Sequence, residues 1–137
     1  MQISTRSLAP ARLALLASPL LLAACGSNLP VTTRTSAYAG PSAAIDSSGR
    51  THAVVIQAPT PGHTVTLDAV RDRLNGREAL ITIRQPDPRY LIPQVIVEQR
   101  VGTDVLTSTP LDVFIRILPR DSRENTEYIY VTTSPQP

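Results

Sequence analysis

From His52 onward, apolar and polar residues alternate in short runs broken by Pro and Gly, and no window sustains the i, i+3, i+4, i+7 spacing of an amphipathic helix. Period two predicts strands over residues 52–58, 63–74, 77–85, 93–101, 111–118 and 127–133. Turn chemistry falls between them at Pro59-Thr60-Pro61-Gly62, Asn75-Gly76, Gln85-Pro86-Asp87-Pro88 and Gly102-Thr103-Asp104. The expectation is an all-β domain over residues 52–134, a small immunoglobulin-like sandwich or partly open barrel of six or seven antiparallel strands. Within the later strands, Val95, Val97 and Val101 are expected to face inward against Glu98 and Arg100, and Leu111, Val113, Ile115 and Ile117 against Asp112, Phe114 and Arg116.

A helix over residues 68–74 is the competing reading, and register argues against it. Asn75-Gly76 is the preferred pair for a two-residue type I′ turn, which would set Leu74 opposite Arg77, Asp72 opposite Ala79 and Val70 opposite Ile81. Continued unchanged, that register turns Leu67 and Val65 to the wrong face. One extra residue near Asp68-Ala69 restores them, with Leu67 opposite Ile83 and Val65 opposite Gln85, so a β-bulge is predicted there.

Upstream the pattern changes twice. Residues 1–24 carry Arg6 and Arg12, then an apolar run from Leu13 to Leu22. Such a run suits the apolar core of a signal peptide, about 7 to 15 residues, rather than the roughly 20 needed to span a bilayer. The tetrad Leu22-Ala23-Ala24-Cys25 that closes it resembles the bacterial lipobox in every position. That resemblance implies acylation of Cys25 and cleavage before it. The product would be anchored in the bilayer by acyl chains worth about 0.8 kcal/mol per buried methylene. Gly26 and Ser27 rather than Asp follow the cysteine, which resembles an outer-membrane address. Residues 25–51 are then rich in Ser, Thr, Ala, Gly and Pro without a hydrophobic period, and are expected to form a flexible linker with a reach of roughly 25 to 30 Å.

Composition removes several functional classes. The net charge of +2 comes from 13 basic and 11 acidic residues, all the basic ones Arg. Arg6 and Arg12 lie in the leader, so 13 − 2 leaves 11 Arg against 11 acids after it. With four Tyr, one Phe and no Trp, the chain has neither the basic surplus nor the aromatic platforms of a nucleic-acid binder. Cys25 is the single cysteine, so once acylated it leaves no thiol for disulfides or catalysis. His52 and His63 open separate strands without a metal-ligand spacing, and no Gly-x-Ser-x-Gly elbow, Ser-x-x-Lys or phosphate loop is present. Asp68, Asp72 and Glu78 beside Arg71, Arg73 and Arg77 read as a solvated, ion-paired face. No enzyme activity, cofactor or metal site is therefore expected.

Recognition has more to draw on. Residues 85–93 form a loop stiffened by prolines at 86, 88 and 93 that offers Arg89 and Tyr90, two residue types enriched at binding hot spots. Phe114 lies opposite the Leu111/Val113/Ile115 face, where it either meets a partner or packs under a second layer. Arg89, Tyr90 and Phe114 are the candidate partner-binding residues. Pro61-Gly62-His63-Thr64-Val65, the charged hairpin, Ala79-Leu80-Ile81-Thr82-Ile83, Pro86-Asp87-Pro88, and Ser108-Thr109-Pro110 followed by 111–116 resemble, over residues 61–120, the C-terminal domain of the protease stability complex PrcB-like proteins. The resemblance implies a non-catalytic lipoprotein that binds and stabilises an envelope protein. The alternative expectation is a passive tether or cell-wall spacer.

Overall fold

The computed structural model describes residues 29–123 and 126–134. The leader and Cys25 lie outside the described residues. Eight strands are present and, among the described residues, no helix: β1 (Thr32–Thr33), β2 (Ala43–Asp46), β3 (Thr51–Ala58), β4 (Thr64–Arg73), β5 (Gly76–Arg84), β6 (Val97–Leu106), β7 (Leu111–Leu118) and β8 (Tyr128–Thr133). They form a five-stranded sheet, β1-β8-β7-β5-β4, and a three-stranded sheet, β2-β3-β6. The sheets are not closed into a barrel.

Alternation puts one side of each sheet into a shared core. Val54 and Ile56 of β3 and Val105 of β6 meet Ala79, Ile81 and Ile83 of β5 and Leu111, Val113 and Ile115 of β7, all buried. Each large aliphatic side chain taken fully out of water contributes about 1.5 to 3 kcal/mol before ordering entropy is charged against it. On the far side of the five-stranded sheet, Leu80, Phe114 and Tyr128 make a second, smaller buried cluster.

The sheets are not wholly antiparallel. β5 pairs with β7 in parallel, Ala79 opposite Val113 and Ile83 opposite Ile117, and β1 pairs with β8 in parallel. The cause is connectivity: after β5 the chain crosses to β6 in the other sheet, reverses there, and re-enters beside β5 in its original direction.

The hairpin and its bulge are both present, in a shifted register. Arg73 pairs with Gly76, so Leu74-Asn75 rather than Asn75-Gly76 is the turn. The extra residue is Asp68, between the pairs Leu67–Ile81 and Ala69–Leu80, and Val65 faces Ile83 rather than Gln85. Gly76 is required by a close approach instead. A Cβ there would lie 2.5 Å from the Pro110 carbonyl oxygen, which accepts from the neighbouring Arg77 amide at 2.8 Å.

The strand expected over 93–101 begins later, at Val97, and runs through the expected Gly102-Thr103-Asp104 turn to Leu106. Val95 is 57% exposed rather than inward. The turn signal is a bulge: β6 pairs Leu106 with Thr51 and Gly102 with Ala53, looping out around His52, with Asp104 at φ 57°. Aspartate adopts that left-handed region more readily than most residues, and Thr103 Oγ1 donates to the His52 carbonyl at 2.8 Å to hold it.

The expected linker also needs correction, because its Thr32 to Asp46 portion carries β1 and β2. Tyr38, Ala43 and Ile45 pack against the core. These three apolar residues, spread over a segment broken by Ser, Gly and Pro, are too few to show a period, yet they suffice to seal the edges of the sandwich.

Candidate interaction site

The loop between β5 and β6 is built on a buried carboxylate. Asp87, 5% exposed, accepts from the Arg89 backbone amide at 3.0 Å and from Arg89 Nε and Nη2 at 3.0 and 2.6 Å. The Tyr90 amide closes the turn on the Asp87 carbonyl at 3.2 Å. Those Arg89 bonds, side chain first and backbone second, hold the Asp87 carboxyl below the usual carboxylate range. At the base the Gln85 amide donates to the Leu118 carbonyl at 2.8 Å. Arg84 Nη1 binds the carbonyls of Arg120 and Ser122 at 3.1 and 3.0 Å. Gly62 lets the loop lie close, since a Cβ there would be 2.5 Å from Ile92 Cδ1 and 2.7 Å from Pro86 Cβ.

A tightly held base thus presents exposed apolar side chains at two places, Tyr90 and Leu91 at the turn and Val95 and Ile96 just before β6. Tyr90 is 67%, Leu91 104%, Val95 57% and Ile96 71% exposed. Ile96 also rims a cavity of about 530 Å³ lined with Pro41, His63, Ile83, Gln85 and Ile117. The signal for Leu91, Val95 and Ile96 was present in the order of residues: Leu91-Ile92 and Val95-Ile96-Val97 are consecutive apolar residues, which a strand cannot all turn inward.

The three residues singled out from the sequence do not form one patch. Tyr90 is at the turn. Arg89 braces the loop through Asp87 while its side chain stays largely exposed next to Tyr90. Phe114 is 1% exposed in the second cluster, edge-on to Tyr130 with ring centroids 5.6 Å apart. Arg34 covers it, its guanidinium carbon 5.2 Å from the Phe114 centroid and 4.5 Å from that of Tyr130. Phe114 is therefore a packing residue, and its place in a binding face is withdrawn.

Polar side chains elsewhere form structural networks. Along one row of the five-stranded sheet, the Asp68 carboxylate accepts from Thr82 and, at 3.0 Å, from the Tyr128 hydroxyl. Arg116 Nε donates to Thr82 Oγ1 at 2.7 Å and its guanidinium lies 4.5 Å over the Tyr128 ring. The bulge is what turns Asp68 toward this row. Burial first, then the Asp68 hydrogen bond, push the Tyr128 hydroxyl pKa up. His52, 1% exposed, has Nε2 on the Thr109 carbonyl at 2.9 Å and Nδ1 on Ser47 Oγ at 2.8 Å. With Nε2 donating to a carbonyl, Nδ1 accepts from the serine hydroxyl, which ties β3 to two loops. Among the described residues no three His, Cys, Asp or Glu side chains stand together as metal ligands.

Neither a family model nor a curated protein nor a solved structure matches this chain.

Proposed function

We propose that this chain is a membrane-anchored lipoprotein of the bacterial cell envelope, held by lipid on Cys25, whose β domain binds and stabilises a protein partner without catalysis. The observation that carries it is the apex of the β5–β6 loop: large apolar side chains held out in water by a base that is hydrogen-bonded and proline-stiffened. Exposure of this kind marks interaction surfaces, and a preorganised loop loses less entropy on binding. A passive spacer has no use for such an apex. The leader, the lipobox and Gly26-Ser27 support an outer-membrane location, and the resemblance of residues 61–120 to the PrcB-like domain supports partner stabilisation. The finer reading of the fold as immunoglobulin-like rests on the two facing sheets; the parallel β5–β7 pair departs from the antiparallel pattern of that class.

The test uses a photo-crosslinking residue in the full chain in native membranes, placed at Leu91 or, as control, at the equally exposed turn residue Leu74. A discrete adduct from position 91 and none from 74 is the expected result. Tyr90→Ala in the same background should weaken it by about 2 kcal/mol or more. No adduct from 91, or the same adducts from both positions, would overturn partner binding through this loop. Cys25→Ser, which should leave the precursor uncleaved, tests the anchor separately.

A further inference from the structure

Each sheet ends in a long strand paired on one side only, β4 in the five-stranded sheet and β6 in the three-stranded one. Edges with a free row of backbone donors and acceptors recruit further strands; the two edges lie near each other, and the Gln99 side chain of β6 turns inward to donate to the His63 carbonyl just before β4 at 2.8 Å. The two differ in what they offer. β4 is broken by the Asp68 bulge, and beyond it Arg71, Asp72 and Arg73 follow in succession. Antiparallel self-pairing about Asp72 would set Arg71 against Arg73 of another copy and Asp72 against itself, which is repulsive. β6 from Val97 to Gly102 pairs regularly with β3, without a bulge. Its sequence Val97-Glu98-Gln99-Arg100-Val101 is complementary to its own reverse.

We propose that β6 is a homodimer edge, pairing antiparallel about Gln99 with β6 of a second copy and joining two three-stranded sheets into one of six strands. In that register Glu98 stands opposite Arg100 of the second copy, and Arg100 opposite its Glu98, giving two ion pairs related by the two-fold axis. Val97 stands opposite Val101 on the other face. This is the isologous arrangement in which one patch is its own complement.

Within one copy Gln57 Nε2 of β3 donates to Glu98 Oε2 at 3.1 Å, and Asp46 of β2 takes Nη2 of Arg100. Both charges lie on the exposed face of the sheet and would exchange these partners for those of the second copy; the Arg100 side chain is 52% exposed and free to turn. Ile96, 71% exposed, would come opposite Gly102 of the second copy, where a Cβ would meet nothing within 4 Å. A pairing this short buries less than the ~1,000 Å² expected of a stable interface, so it suits copies concentrated on a surface rather than dilute in solution.

The test is oxidative crosslinking of the full chain in membranes. Gln99→Cys places a thiol opposite itself, at a Cα separation of about 4.5 to 5.5 Å, which a disulfide spans. It should give a dimer, while the parent chain and Thr66→Cys on β4 should not. A parent that cross-links through Cys25 would refute the lipid reading and leave the β6 comparison intact. In the Gln99→Cys background, Glu98→Arg or Arg100→Glu should each lower the dimer yield about tenfold, and the double reversal should bring it back to within about twofold. Restoration is the decisive readout, because weakened folding alone would make the double variant worse than either single one. No dimer from folded Gln99→Cys, adducts only to a different protein, or a double reversal no better than the single variants would each overturn the proposal. If Gln99→Cys does not fold, the same charge series read by chemical crosslinking of the parent chain decides it.

Discussion

Truncating Phe114 removes a buried ring packed with Leu80, edge-on to Tyr130 and covered by the Arg34 guanidinium. Phe114→Ala should cost about 3 to 5 kcal/mol, read as a lowered urea midpoint, while a Leu91 crosslinking adduct persists under conditions where the variant is folded. Loss of the adduct at unchanged stability would return Phe114 to the binding face. Tyr38 gives a pH signature at the same scale. Burial pushes its hydroxyl up to about 12 from an ordinary value of 10, and the hydroxyl donates to the Pro41 carbonyl at 2.9 Å. The folded state therefore keeps this proton after the unfolded chain has released it. The stability it contributes is fully present below pH 10 and is lost as pH rises toward 12. Tyr128 shifts in the same direction. Tyr38→Phe should lower stability at neutral pH yet flatten its decline above pH 10. Urea midpoints falling equally steeply in both proteins would show that Tyr38 ionisation is not coupled to folding.

Between elements, the positions that decide pairing are those where backbones approach. Gly76→Ala puts a methyl 2.5 Å from the Pro110 carbonyl and should cost about 1 to 3 kcal/mol in equilibrium unfolding, because the clash is with backbone rather than a mobile side chain. A neutral substitution would mean that the β6–β7 connection yields freely. This same contact explains why Asn75-Gly76 misled: the glycine signal was real, but its cause lay in a loop distant in sequence. What alternation could reveal, it revealed. Val54, Ile56, Ile81, Ile83, Val113 and Ile115 face the core as their period demands, and the extra residue at Asp68 was visible as a break in that period. Alternation carries no information about direction across a crossover, so the parallel β5–β7 pair was illegible. Nor does it register two-residue and four-residue strands such as β1 and β2, whose pairing is set by neighbours already folded. The candidate site was half legible. Pro, Arg and Tyr marked the loop, but only a side chain's burial could assign Arg89 to Asp87 and Phe114 to the interior.

At the scale of the whole molecule, the ordered N-terminal segment changes how the domain would stand on a membrane. The Pro30 carbonyl accepts from Arg71 Nη1 at 3.1 Å, the Val31 carbonyl accepts from the Tyr128 amide at 2.9 Å, and Arg34 is bound to Asp112. The segment is pinned to the five-stranded sheet from Pro30 onward. If lipid sits on Cys25, only the four residues 26–29 separate it from the pinned segment in sequence, at most about 14 Å of chain even if fully extended, against the roughly 25 to 30 Å expected of a linker running to residue 51. The domain is then held against the headgroups, where lateral concentration favours both a β6 pair and capture of a neighbouring envelope protein. Inserting ten Gly/Ser residues after Ser27 should raise the reach to roughly 20 Å. The melting temperature should not change, because no pinned contact is touched. Energy transfer from a dye at Leu74, 97% exposed, to labelled lipid in vesicles carrying the acylated protein should fall on insertion. Transfer that is already weak in the parent and unaffected by the insertion would show that the segment detaches from the sheet and behaves as the longer linker.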